Sequence, residues 1–196
     1  VIRYDYLFEK AVNSILFQKT NYKFDIVIII DNPDEILYKK INQKFIHYID
    51  SKKIILIKND INLGLTKSLN KAINHSKGRF ILRNDQDDIS NINRINDCMN
   101  IVQNNDNIKL VFSDYRSIKG NKCYKRKTLY WGNDLKNIIK YKNPIAHSSV
   151  LFEKKLFLNL GGYDESFKTS QDFKLWSSIV MNNHNFYHLK KYLIDI

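Results

Sequence analysis

The most informative stretch of this 196-residue sequence is Phe24-Asp25-Ile26-Val27-Ile28-Ile29-Ile30-Asp31. Its apolar residues are mostly β-branched and run without alternation, which is typical of a strand covered on both faces. The apolar run ends in Asp31-Asn32-Pro33-Asp34, a cluster that favours a turn and can cap a following helix. A buried strand that leads through a turn into a helix indicates an α/β protein.

Helical and strand-like patterns alternate on both sides of this strand. Helices are predicted over 7–16, the thirties and forties, 65–74, 93–102, 154–160 and 170–181. Further strands are predicted over 54–57, 80–82, 109–113, 149–152 and 186–193, and the basic segment 119–127 is predicted to be a loop. This order predicts a mixed, mostly parallel sheet with helices on both faces, in a single domain over residues 1–196.

The composition narrows the class of protein. With 43% hydrophobic and 27% charged residues, the chain is not a disordered tail, a collagen-like rod or a disulfide scaffold. Its two cysteines favour free thiols in a reducing compartment, and no apolar run approaches the about 18 residues of a membrane span. The net charge of +12 favours an anionic partner, although the heavy use of Lys, Asn and Ile also fits a codon bias. Because the chain begins with Val1, we expect it to start within a longer protein.

Two acidic segments directly follow predicted strands: Asp31, and the cluster Asp85-Gln86-Asp87-Asp88. In α/β sheets, ligands bind beyond the carboxyl ends of the strands, so we expect both segments at one edge. Three carboxylates within four residues repel one another, and a divalent cation with hard oxygen ligands would offset that repulsion. The alternative is a turn whose aspartates cap the next helix.

Other candidate residues have an ordinary structural alternative. Asp31 can accept hydrogen bonds from a base or ribose, or it can be a turn residue. The segment Asn62-Leu63-Gly64 with Lys67 one turn later can approach a diphosphate, or it is a plain loop-to-helix junction. Asp172, near the start of a predicted helix, is either a general base or a residue that compensates the helix dipole, and Trp176 is expected mainly in the core.

Taken in order, these segments resemble the family 2 glycosyltransferases of the GT-A fold, in particular the bacterial enzymes that build capsule, exopolysaccharide or O-antigen glycans. The resemblance is collinear over nearly the whole chain. It rests on Ala11–Gln18, Ile28–Asn32, Asn62–Ala72, Gly78–Asp88 with Arg94 beyond, His147–Val150, Gly161–Asp164 and Gln171–Trp176.

The resemblance implies an inverting transfer of a sugar from a nucleotide diphospho-sugar, most often UDP-linked, to an acceptor hydroxyl. It assigns a Mn²⁺ or Mg²⁺ ion to Asp85 and Asp87, and the general base to Asp172. The donor is expected to contact six residues: Asp31, Asn62, Gly64, Lys67, Asp85 and Asp88. The acceptor is expected to contact three: His147, Gln171 and Trp176.

The chain also departs from the family pattern. The first strand is missing or reduced to Val1-Ile2, Asn32 replaces the second aspartate of a usual pair, and Gln171 stands where the family usually has Glu. We expect a nucleotide-binding part over about residues 1–90 and an acceptor part over about 91–196.

Two alternative functions remain at this point. A sugar-nucleotide pyrophosphorylase would use similar carboxylates, and a non-catalytic basic module would bind nucleic acid through Lys119–Lys127. The transferase interpretation instead predicts a lipid-linked or free saccharide acceptor and no nucleic-acid partner. It also predicts a cytoplasmic protein, held by its positive charge at the anionic cytoplasmic face of the inner membrane.

Overall fold

The computed structural model describes residues 1, 3–127 and 135–196. The helices are α1 (Tyr6–Leu16), α2 (Glu35–Lys44), α3 (Ile46–Asp50), α4 (Leu65–His75), α5 (Arg94–Asn104), α6 (Leu135–Ile138), α7 (Lys154–Asn159) and α8 (Gln171–Met181). The strands are β1 (Ile26–Ile30), β2 (Ile54–Lys58), β3 (Phe80–Leu82), β4 (Ile89–Ser90), β5 (Ile108–Lys119), β6 (Lys122–Arg126), β7 (Val150–Glu153) and β8 (Asn185–Asp195). A short 3₁₀ turn, His147–Ser149, precedes β7.

The strands form two sheets. In the first, β1 and β2 pair in parallel from Ile26 opposite Ile54 to Ile30 opposite Lys58. In the second, the order is β3-β7-β5-β8-β4, and β6 pairs with β5. There β5 and β8 are parallel, whereas β7 runs antiparallel to both β3 and β5, β4 runs antiparallel to β8, and β6 runs antiparallel to β5. The predicted α/β class with a mixed sheet is confirmed.

Helix starts follow the sequence signals. The side chain of Asp5 accepts a hydrogen bond from the backbone N–H of Phe8 and begins α1. Asp34 accepts from the N–H groups of Ile36 and Leu37 and begins α2, as its place in the turn cluster predicts. These caps fix where the chain turns after β1.

Apolar packing holds the two sheets and their helices. One buried cluster joins α1, α2, β1 and β2 and includes Phe8, Ile30, Leu37 and Ile41. A larger cluster joins α4, α7 and α8 to the second sheet and includes the fully buried Trp176. The apolar faces of α4 and α8 therefore hold these helices in place, and the polar residues at their N-termini gain fixed positions.

The basic segment 119–127 is not the loop that its sequence predicts. Strand β5 continues to Lys119 and turns back at Gly120 into β6, so the segment belongs to an antiparallel hairpin. All five residues of β6 are exposed, so neither face needed the alternating apolar pattern that identifies half-buried strands. Within the described ranges, no helix combines the length and apolar character needed to cross a bilayer.

Candidate active site

Asp31 and Asn59 lie side by side, directly after the carboxyl ends of β1 and β2. The amide nitrogen of Asn59 donates to Oδ1 of Asp31 at 3.0 Å and to Oγ of Ser68 at 2.9 Å. Its amide oxygen accepts from Nζ of Lys71 at 2.7 Å. Asn59 is fully buried, so this network joins the end of the parallel sheet rigidly to α4.

Asp31 also fixes the loop that enters α4. Its Oδ1 accepts from the backbone N–H of Leu63 at 2.7 Å, and Oδ1 of Asn62 accepts from the N–H of Gly64 at 3.0 Å. Burial raises the pKa of Asp31, but hydrogen bonds from Asn59, Leu63, Ser68 and Gly64 outweigh it and hold that pKa below its usual value. The carboxylate that sequence suggested for base or ribose thus orders the loop at Asn62 and Gly64.

The entrance of α4 is open towards solvent. Gly64 has φ +83°, a conformation that favours glycine, and a Cβ there would meet nothing within 4 Å. Lys67 lies exposed in the first turn of α4. Backbone N–H groups at such a helix start attract anions, which suits a diphosphate.

The acidic loop after β3 contains one buried and two partly exposed carboxylates. Asp85 forms an ion pair with the guanidinium of Arg83, and Asp87 lies 3.9 Å from that of Arg3. Asp88 is buried, and its Oδ2 has no hydrogen-bond partner among the described residues. Burial, together with the charges of Asp85 and Asp87, raises the pKa of Asp88 to about 6.

Arg94 holds the acidic loop in place through hydrogen bonds from its guanidinium. It is fully buried, and its guanidinium donates to Oδ1 of Asn84 at 3.0 Å and to Oγ of Ser90 at 2.8 Å. It also donates to the backbone carbonyls of Arg83 and Ser148. Burial lowers the pKa of Arg94 to about 10, so it stays charged at neutral pH. One side chain thus connects both ends of the acidic loop to the turn that precedes β7.

Asp172 lies in the first turn of α8, as predicted. The amide of Asn143 donates to Oδ2 of Asp172 at 2.8 Å. The preceding Ser170 has a left-handed backbone, with φ 63°, and Gln171 is buried. The sharp turn at Ser170 brings Asp172 to the start of the helix, partly accessible to solvent.

Of the two aromatic residues expected near an acceptor, His147 is half-buried and Trp176 is fully buried. The His147 ring packs edge-on against Tyr163, and its Nε2 lies 2.9 Å from the Tyr163 hydroxyl. Burial, together with the charge of Arg83, lowers the pKa of His147 to about 3. Trp176 has no exposed surface and packs in the core between the helices and the second sheet. This is the packing position that its sequence context favoured.

Short links connect these groups. The carbonyl of Val1 accepts from the N–H of Asp31 at 2.8 Å, while Arg3 reaches Asp87. Val1 and Arg3 are two positions apart, so their Cα atoms lie within about 7 Å of each other and the Asp31 network and the acidic loop are near neighbours. The two acidic segments therefore lie close together, as predicted, but they do not share the edge of one sheet, because β1 and β3 belong to different sheets.

Tyr163 lies near both the acidic loop and Asp172. Burial raises the pKa of its hydroxyl, and the charges of Arg83, Asp172 and Asp85 also act on that pKa. Because charge effects weaken with distance, the acidic loop and Asp172 belong to one neighbourhood around this buried tyrosine.

The carboxylates have the chemistry of a divalent-metal site. Within the described ranges, no three His, Cys, Asp or Glu side chains are grouped closely enough to enclose a metal ion. However, Mg²⁺ and Mn²⁺ at phosphate sites often take only one or two carboxylates and complete their shell with phosphate and water oxygens. Asp85 and Asp87, with the unpartnered Oδ2 of Asp88 beside them, fit that arrangement.

For four residues of this region, no role in the site was predicted from the sequence: Asn59, Arg83, Asn143 and Tyr163. Asn59 had a detectable signal, because it follows β2 directly as Asp31 follows β1. Arg83 also had one, since a basic residue beside three aspartates suggests an ion pair. The roles of Asn143 and Tyr163 depend on contacts 29 and 16 residues along the chain, which local patterns do not reveal.

Comparison with known proteins agrees with this geometry. The profile of Glycosyl transferase family 2 matches residues 6–158. An uncharacterized glycosyltransferase of Methanocaldococcus jannaschii is 31% identical over 193 residues, covering 95% of this chain and 64% of its own length. An Escherichia coli UDP-Gal:α-D-GlcNAc-diphosphoundecaprenol β-1,3-galactosyltransferase is 24% identical over 189 residues, covering 95% and 67%. The chain therefore spans about two thirds of the length of these relatives.

Solved structures share the fold. S. aureus TarS residues 1–349 in complex with UDP aligns with a TM-score of 0.74 at 17% identity, covering 96% of this chain and 56% of that one. The mannosyltransferase PcManGT from Pyrobaculum calidifontis, in complex with GDP-Man and Mn²⁺, aligns with a TM-score of 0.74 at 14% identity, covering 100% and 54%. Both have the predicted GT-A fold. The chain belongs to Glycosyl transferase family 2.

Proposed function

We propose that this protein transfers a sugar from a nucleotide diphospho-sugar to a hydroxyl of a growing, lipid-linked surface polysaccharide, with inversion at the sugar carbon. One observation carries the proposal. Asp85, paired with the buried Arg83, lies on the loop that Arg3 and Val1 connect to the Asp31 network, and the charges of Asp85 and Asp172 both act on the buried Tyr163. A nucleotide diphospho-sugar and an acceptor need adjoining binding places with charged groups near both. Family membership favours transfer over the pyrophosphorylase alternative.

The nucleotide would bind beyond β1 and β2. Asp31 holds the loop at Asn62 and Gly64 through the backbone N–H of Leu63. The open start of α4, with Lys67 exposed, provides N–H groups and a positive charge for the diphosphate. Asp88 is buried beside the other two carboxylates and can contact either the metal ion or the ribose.

Asp85 and Asp87 would hold a Mn²⁺ or Mg²⁺ ion. When bound, such an ion neutralises the charge that develops on the leaving nucleoside diphosphate. The ion pair with Arg83 and the buried support from Arg94 keep the Asp85 loop in place without the ion. The carboxylates are therefore organised before the donor arrives.

Asp172 would act as the general base. A direct displacement needs a carboxylate on the far side of the sugar to take the proton of the attacking hydroxyl as the new bond forms. Asn143 holds Oδ2 of Asp172, which orients the carboxylate, and α8 is anchored in the core. Acceptor contact by the half-buried His147 and the buried Gln171 stays a prediction.

The finer assignments rest on the relatives. UDP and GDP-Man occupy the two structural neighbours, and we favour UDP because the E. coli relative is named for UDP-Gal. That relative is also named for a diphosphoundecaprenol acceptor, which supports a lipid-linked acceptor at an anionic membrane. We accordingly expect the protein in the cytoplasm, in peripheral contact with the inner membrane, and without a nucleic-acid partner.

Calorimetric titration tests the proposal. UDP and GDP are titrated into the protein with Mn²⁺ and again with EDTA, and the series is repeated with Asp87→Ala. We expect binding of UDP that requires Mn²⁺ and falls at least tenfold in the variant. The matched control is Asp106→Ala, which removes an exposed carboxylate remote from this loop in sequence. A folded protein that binds neither nucleotide in any condition would overturn the proposal.

A further inference from the structure

The hairpin of β5 and β6, residues 115–127, carries half of the net charge of the chain. Six of its thirteen residues are basic and none is acidic: Arg116, Lys119, Lys122, Lys125, Arg126 and Lys127. From Ile118 to Lys127 every residue is exposed. We call this surface the basic hairpin. None of the site chemistry described above uses it.

Its charges are arranged in a way that is unfavourable without a partner. Lys119 lies directly opposite Lys122, and Arg116 directly opposite Lys125. Like charges across a strand pair destabilise it. Asp195 compensates Arg116 at 2.6 Å, but among the described residues no carboxylate lies within ion-pair distance of Lys119 or Lys122. The tip therefore gains from contact with external anions.

Apolar side chains lie between these charges. Ile118 is 45% exposed and Tyr124 is 40% exposed, and they lie on opposite faces of the hairpin because they pair with Cys123 and Ser117 in adjacent registers. Tyrosine and aliphatic side chains gain free energy at the headgroup boundary, while lysine stems reach past them to phosphate. A nucleic-acid backbone has no apolar region that would pack against Ile118, so an anionic bilayer fits this surface better.

The basic hairpin projects from the edge that carries the acidic loop. Strands β3 and β5 are both antiparallel to β7, so their carboxyl ends point the same way. Strand β3 leads into the acidic loop, and β5 leads into the hairpin. Ile89 pairs with Asp195, which pairs with Arg116, so the end of the loop and the base of the hairpin are two strand spacings apart, about 10 Å.

We propose that the basic hairpin docks this protein on an anionic bilayer and turns the edge with the candidate active site towards the membrane surface. The inference deepens the proposed function and rests on it for the identity of the acceptor. A lipid-linked acceptor has its diphosphate at that surface, within reach of a site that faces it.

The test is vesicle co-sedimentation of the whole chain. Vesicles of pure phosphatidylcholine are compared with vesicles that contain phosphatidylglycerol, for the wild type and for Lys119→Gln/Lys122→Gln. These two lysines have no described aromatic or acidic partner, so the variant should fold, and circular dichroism checks this. The matched control is Lys39→Gln/Lys77→Gln, which removes two exposed lysines elsewhere.

We expect binding only to the anionic vesicles, a fall of about 25-fold in partitioning for the hairpin variant, and no comparable fall for the control. An Ile118→Ser variant should also weaken binding. Equal binding by both double variants, or equal binding to neutral vesicles, would overturn the proposal. So would tight binding of a 20-nucleotide RNA without vesicle binding. UDP titration separates the two proposals. If the hairpin variant binds UDP as the wild type does, the substitutions have removed membrane docking only. If the wild type binds the vesicles but no nucleotide, the proposed transferase activity is contradicted and the membrane docking is not.

Discussion

The side-chain amide of Asn143 donates a hydrogen bond of 2.8 Å to Oδ2 of Asp172. The amide itself is held, because its Oδ1 accepts from the backbone N–H of Ile145 at 3.1 Å. Asp172 is therefore oriented through one oxygen by a group fixed on another segment of the chain. A general base needs this kind of support, since its second oxygen must meet the acceptor hydroxyl in a narrow range of positions.

Replacing the proposed base should stop the reaction without affecting the donor. We expect Asp172→Asn to lower the rate of sugar transfer by about 10²–10⁴-fold, because proton transfer from the acceptor hydroxyl is lost. Calorimetric binding of nucleotide should stay unchanged. Asp106→Asn serves as the control for loss of one exposed carboxylate. A variant that retains full transfer activity would show that another group takes the proton.

Removing the supporting amide should have a smaller effect on the same step. Asn143→Ala is expected to lower kcat about tenfold, the equivalent of one hydrogen bond to a charged group, while the KM for the donor stays the same. Steady-state kinetics with varied donor measure both quantities. If the KM rises and kcat does not fall, Asn143 contributes to donor binding instead.

The buried network at Asn59 should be needed for stability as well as binding. Asn59→Ala leaves Asp31, Ser68 and Lys71 each without one partner. Buried polar groups that lose a partner are costly, so we expect the free energy of unfolding to fall by about 2–3 kcal/mol in urea titration. Asn74→Ala, an exposed change on α4, should leave the free energy of unfolding within about 0.5 kcal/mol. Equal effects of the two changes would contradict the network's role.

Arg94 should not tolerate a conservative change. Lysine lacks the planar fork that reaches Asn84, Ser90 and two backbone carbonyls together. We expect Arg94→Lys to lower the free energy of unfolding by about 2–4 kcal/mol and to weaken Mn²⁺-dependent nucleotide binding. Arg79→Lys, at a mostly exposed position, is the control. Normal nucleotide binding by a folded Arg94→Lys variant would show that the acidic loop does not depend on this support.

His147 should make stability sensitive to acid. Its pKa is lowered by burial to about 3, below the about 6.5 of an unfolded chain, so the unfolded state binds the proton first. The free energy of unfolding that the neutral His147 contributes is complete above about pH 6.5, and it is lost as the pH falls from there towards 3.

Between pH 7 and 5 we expect this histidine to remove about 2 kcal/mol of unfolding free energy. Urea titrations at the two pH values measure it, and His147→Gln, which cannot titrate, should lose correspondingly less. The same loss in both proteins would show that other groups cause the acid sensitivity.

Much of the fold follows from local pattern. The uninterrupted apolar run Ile26–Ile30 and the aspartate cap at Asp34 form the strand and helix that their chemistry favours. Strand alternation with helices also predicts that Asp31 and the acidic loop lie near each other, and they do, although β1 and β3 belong to different sheets. The family resemblance needed only collinear motifs, and the profile match confirms it.

Other features depend on contacts between distant segments. Hydrophobic periodicity does not detect an exposed hairpin, so the structure of residues 119–127 became visible only through the pairing of β5 with β6. The aspartates of the site were visible in the sequence, but the hydrogen bonds from Asn59 to Asp31 and from Asn143 to Asp172 depend on tertiary packing. Burial also shifts the pKa values of His147 and Arg94 downwards. Desolvation depends on everything that surrounds a side chain, and a local stretch of sequence records only its neighbours along the chain.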